Sequence, residues 1–158
     1  MSFFLEISEY KNTIISRILE NQELCKALFY QSPDFLDKPE IEDTTELIYQ
    51  CIFPHRFIPD ITINTGTYIA IALGDFRLIN STFKTGIVSV NVFTHRDTFK
   101  TNYQCTRVDF IANKIDEMLN YKNGIGLGKL EFKALNEYVV NEKFQGYAIT
   151  YKPVDFNQ

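Results

Sequence analysis

The sequence predicts an α+β fold, a mostly antiparallel sheet packed on one face by a long helix, with additional N-terminal helices. Three observations carry that prediction. The periodic segments run in the order helices, strands, helix, strands, which favours a helix layer over an antiparallel sheet. Residues 86–93 set Ile87, Ser89, Asn91 and Phe93 against Val88, Val90 and Val92, so one face is apolar and the valine face should pack on helices. Cys105, Val108, Ile111, Ala112, Ile115 and Leu119 recur at i, i+3, i+4 and i+7, predicting a long helix over 102–120.

The remaining elements follow in chain order. Phe4, Ile7, Ile14, Ile15 and Ile18 share one helical face and predict a first helix over 4–20. Asn21 either caps a shorter helix carrying Leu24, Cys25 and Leu28 or marks a bend in one long helix. Residues 31–43 hold Pro33, Pro39 and the acids Asp34, Asp37, Glu40, Glu42 and Asp43. They read as an extended acidic arm or loop that a neighbour could order. Asp43-Thr44-Thr45-Glu46 resembles a capping box ahead of Leu47, Ile48, Cys51 and Ile52, a short third helix ended by Pro54. Residues 58–63 read as a strand entered through Pro59. Tyr68-Ile69-Ala70-Ile71-Ala72-Leu73 reads as a buried strand, and 74–82 as its return loop.

The run Gly124-Ile125-Gly126-Leu127-Gly128 raises the question of a phosphate site. A phosphate loop leaves a strand and opens a helix, whose N-terminal N–H groups hold the anion. Here the glycines leave a helix and enter Lys129-Leu130-Glu131-Phe132-Lys133, an alternating strand pattern. A helix stop and tight turn is the reading. Two or three strands follow, the last being Tyr147-Ala148-Ile149-Thr150-Tyr151.

Composition bounds the function. A chain of 158 residues, 45% hydrophobic and 23% charged, with no internal repeat, suits a single domain over 1–158. Its 14 phenylalanines and 9 tyrosines make it heavily aromatic: some must be core, and a surplus that reaches the surface would suit a subunit interface. A net charge of -4 with scattered Arg56, Arg77, Lys84, Arg96, Lys100 and Arg107 excludes tight grip on a nucleic-acid backbone. The odd, widely spaced Cys25, Cys51 and Cys105 argue for buried thiols in a reducing compartment rather than a disulfide framework. The N-terminal residues lack a signal-peptide pattern, and no apolar run is long enough to span a membrane.

Chemistry-bearing patterns are few. His95-Arg96-Asp97 with Asn102 has the letters of a kinase catalytic loop, but the accompanying glycine loop, strand lysine and Asp-Phe-Gly are missing, so a polar turn is expected. His55 and His95 stand alone, without the close spacing of metal ligands. Cys105 on the helix stripe reads as inert. Asp116 and Glu117 point apart on a solvated helix face, unlike a glycosidase pair. No catalytic, cofactor-binding or metal residue is assigned, and the expectation is a protein that is not an enzyme.

Several segments taken together carry a resemblance. They are Asn21-Gln22-Glu23-Leu24 with Leu28-Phe29-Tyr30, the arm over 33–41, the helix over 107–119, Asn123-Gly124-Ile125-Gly126-Leu127-Gly128-Lys129-Leu130, and Gly146-Tyr147-Ala148-Ile149-Thr150-Tyr151. The set resembles the neck and tail-completion structural proteins (tail terminator-like) of tailed bacteriophages infecting Gram-positive hosts. That resemblance implies a virion protein forming a ring, often a hexamer, at the head–tail junction. Such a ring caps the tail tube and docks it to the neck. It implies as partners other copies of itself, the tube protein, connector proteins and DNA passing unbound through the lumen. The acidic arm over 31–43 and the loop over 74–82 are the expected reaching elements. The alternatives are another neck component (stopper or head-completion adaptor), a small phage-encoded enzyme, and a module binding a host protein.

Overall fold

The computed structural model describes residues 3–62, 65–79, 82–120 and 129–153, with backbone alone for Phe3, Leu78, Ile79 and 82–85. The chain forms α1 (Phe3–Leu19), α2 (Gln22–Phe29), β1 (Ile52–Phe53), β2 (Thr67–Ile79), β3 (Thr82–His95), α3 (Arg107–Leu119), β4 (Leu130–Val139) and β5 (Phe144–Pro153). The five strands lie in the order β1-β2-β3-β5-β4. Every pairing is antiparallel except that of β1 with β2, so the expected α+β architecture is the one that forms.

The helices cover one face. Val88, Val90 and Val92 of β3 meet Ile14, Ile15 and Ile18 of α1, Leu24 and Leu28 of α2, and Ile111 and Ile115 of α3 in one buried cluster. This is the valine face read from the alternation. Asn21 is a true N-cap, its side chain accepting from the Leu24 N–H at 3.0 Å, which ends α1 and starts α2 as separate helices. On the opposite face Phe53, Tyr68, Phe93 and Phe144 form a smaller aromatic cluster. Phe57 stacks on Phe53 at 3.9 Å between ring centroids, and the Asn141 side-chain amide donates to the Pro59 carbonyl. The segment after β1 is thereby held across the bottom of that face.

Several expectations are corrected. Helix α3 begins at Arg107 and not near Asn102. Thr106 is its N-cap, and Gln104 holds a positive φ of 64 that a helix cannot contain. Cys105 therefore precedes the helix instead of lying on its stripe. The expected third helix is a single 3-10 turn, Thr44–Leu47, with Ile52 in strand β1. Among the described residues of 58–63 no strand forms, and Ile58 is exposed.

The expected return loop over 74–82 is also absent as such, because β2 and β3 run on as a ribbon. Gly74-Asp75 marks a bulge in it, where Asp75 and Phe76 stand opposite Gly86 and Asp75 takes a φ of 54. The glycine run lies outside the described residues.

The acidic segment over 31–43 is a loop laid on the body, not a projecting arm. Its 3-10 turn buries Phe35, whose ring meets the edges of Tyr103 and Phe110 at 5.0 and 5.1 Å. Gln22 exchanges two hydrogen bonds with the Ile41 backbone, and the Leu36 N–H donates to the Tyr103 hydroxyl. These contacts pin the segment at Phe35, Leu36 and Ile41, while Pro39, Glu40, Glu42 and Asp43 face solvent.

Candidate interaction surface

The residues first suspected of chemistry fall into structural roles. His95 is buried with its ring edge-on to Phe144, and its Nδ1 accepts from the Asp97 N–H at 3.1 Å. That contact caps the 3-10 turn Arg96–Thr98, in which Arg96 and Asp97 face solvent. Asn102 is exposed, and its backbone N–H donates to the Pro33 carbonyl. The letters of a kinase loop thus spell a capped turn. Behind it the hydroxyls of Thr67, Thr94 and Thr98 form a buried chain, joined by bonds of 2.8 and 2.6 Å.

His55 lies exposed near the ring of Tyr49, while Asp116 accepts from the Tyr151 hydroxyl at 2.9 Å and Glu117 from Asn113. Among the described residues no three His, Cys, Asp or Glu side chains converge as a metal site would require. No helix among them is long and apolar enough to cross a membrane.

The thiols of Cys25 and Cys51 are held protonated. Burial pushes Cys25 up to about 12, with a smaller contribution from Cys51, and burial alone raises Cys51 to about 11. Tyr147, whose hydroxyl donates to Asp109, is raised to about 12 chiefly by that bond. In each case the folded chain keeps a proton that the unfolded chain releases nearer the ordinary value. Stability from these groups is therefore complete below about pH 9 and is lost as pH rises toward 11 and 12. The thermal midpoint should be flat from pH 7 to 9 and then fall, with a shallower fall in Cys25→Ala. A midpoint that stays level to pH 11 contradicts this account.

Large apolar side chains are also exposed, at the edges of the sheet. Edge strand β4 presents Phe132, Leu135 and Val139 to solvent, Val139 with 68% of its surface exposed. Beside them a groove of about 310 Å³ runs between β4 and α3, floored by Ala112, Leu135 and Ile149 and rimmed by Asn113 and Asp116. At the far side of the sheet Tyr49 is 63% exposed beside β1, held in a positive φ of 65 by the turn that bonds its N–H to the Ile52 carbonyl. Ile58 and Ile61 add apolar surface on the segment crossing beneath the sheet.

Periodicity alone does not mark these positions as exposed. A usable signal was present in β4, where Glu131, Lys133 and Glu137 interrupt apolar residues in the way natural proteins blunt an unpaired edge.

One family model, YomW, matches residues 21–153, which takes in every element after α1. No curated protein and no solved structure matches the chain.

Proposed function

We propose a structural role in a phage particle for this chain, which belongs to the YomW family, a family tied to the SPBc2 phage region of Bacillus. The role is that of a ring at the head–tail junction, capping the tail tube and docking it to the neck. The protein acts by shape and self-association and carries no reactive group of its own.

One observation supports this above the others: apolar surface sits at the two opposite edges of a single sheet, at β4 and beside β1. A closed ring needs two different patches per subunit, each meeting the other patch of a neighbour. The net charge of -4 suits a lumen through which DNA slides without adhering. Its partners are then further copies of itself, the tube protein and the connector.

Electron microscopy of purified particles labelled with an antibody to this chain tests the reading. Label at the junction of head and tail is the expected result. Label on the capsid or tail tip, or particles without the protein, would remove the proposal.

A further inference from the structure

The face of the sheet turned away from the helices is only partly covered. Its lower rows, with Tyr68 and Phe93, lie under the aromatic cluster and the segment after β1. Above them the face is hollowed. The ladders set Ala70, Asn91 and Ala148 side by side in one row. The next row holds Ala72, Ser89, Thr150 and Ala134. Alanine is under-used in strands, and gathering it around one spot leaves room above the backbone. A depression of about 330 Å³ opens there, between Arg56, Ala72, Asp75, Ile87, Ser89 and Thr150. That volume is at the lower end of ligand pockets, which span roughly 300–1,000 Å³.

The polar groups of this hollow have no protein partner. Asn91 is 3% exposed, yet its side-chain amide bonds to no other described residue. Among the described residues no fully buried side-chain N or O lacks a partner, so that amide must open onto this face. The Ser89 and Thr150 hydroxyls are likewise unbonded, and Arg56 and Asp75 form no ion pair among the described residues. Polar groups this deep are nearly always paired. The helix side of the same sheet obeys that rule, with Thr67, Thr94 and Thr98 bonded to one another and to Gln31.

We infer that this hollow binds a short neutral saccharide through Asn91, Ser89 and Thr150, with Arg56 and Asp75 at its rim. The inference stands apart from the ring reading, and either can hold without the other.

Donors and acceptors select the ligand. An amide and two hydroxyls each donate and accept, so they complement groups that do both, as sugar hydroxyls do. The rim carries one cation and one anion. A phosphate would meet the Asp75 carboxylate and an amine the Arg56 guanidinium, whereas a neutral polyol can donate to one and accept from the other. The alanines offer a low apolar floor to the C–H side of a sugar ring.

The test is an amide NMR titration of the full chain with maltose, cellobiose and N,N′-diacetylchitobiose, set against glycine and inorganic phosphate. Saturable shifts at 89–91 and 148–150 are expected with at least one disaccharide and with neither charged probe. Asn91→Ala and Arg56→Ala should each weaken that binding about tenfold. Both variants should keep the wild-type thermal midpoint, because neither removes a bond within the fold. No saturable shift with any of the three disaccharides would overturn the site. Saturation by glycine or phosphate alone would overturn the ligand class, and binding unchanged in both variants would overturn the location. A thermal midpoint lowered by Asn91→Ala would give the amide a structural role and overturn the inference as well.

Discussion

Replacing Arg107 by alanine is expected to cost about 4 kcal/mol or more, a large part of the total stability of a domain this size. Arg107 is fully buried at the start of α3 and faces no carboxylate. Its Nε donates to the Thr98 carbonyl, Nη1 to those of Ala27 and Tyr30, and Nη2 to that of Ser32, at 2.7 to 2.9 Å. The guanidinium also lies over the Phe35 ring, 4.7 Å from its centroid.

One planar cation thus satisfies the carbonyls that the end of α2 leaves unpaired and ties them to the turn before α3. Burial lowers its pKa to about 10, so the group stays charged at neutral pH. Alanine leaves those oxygens buried without donors. Lysine supplies a charge but not the fork, so Arg107→Lys should fall between wild type and alanine in urea unfolding. Equal midpoints for all three would refute the clamp.

Gly146→Ala is the second large effect, at about 3 kcal/mol or more. Gly146 lies in β5 opposite Phe93 of β3. A Cβ there would fall on the Val92 carbonyl oxygen and 2.8 Å from the Phe93 Cα. Both are backbone atoms of a central strand and cannot turn aside as a side chain could. Relief requires parting β3 from β5. Gly74 is the control, because a Cβ at that position meets nothing within 4 Å, and Gly74→Ala should stay within about 0.5 kcal/mol of wild type. Similar losses at the two glycines would discredit the close-approach account.

These two residues also show what the sequence could and could not disclose. The Asn21 cap and the valine face of β3 were legible because their signals are local, a capping side chain three residues from its donor and a period of two. Arg107 was not legible as a clamp, since its acceptors lie 75 to 80 residues upstream apart from Thr98, and no spacing rule connects them.

The bulge at Gly74-Asp75 was misread for a different reason. A glycine followed by aspartate at positive φ looks the same in a turn as in a ribbon that keeps going. The start of α3 was set too early because Cys105 fits the apolar period, while the break at Gln104 sits in a turn that the Thr101 hydroxyl closes by donating to the Cys105 carbonyl. Of the candidate surface, the charges within β4 were visible. Its position at the border of the sheet depends on strand order, which periodicity does not encode.

The first helix has a consequence for how the polypeptide is made. It is translated ahead of the elements it packs on: its Arg17 docks on the Met118 carbonyl 101 residues later, and its Tyr10 rests against Phe76. At ribosomal speeds of roughly 5–20 residues per second, its oily stripe waits on the order of 5–20 seconds for the remainder of its bed. During that interval the nascent chain offers Ile14, Ile15 and Ile18 to any chaperone nearby, and lowering the growth temperature during expression should raise the soluble yield.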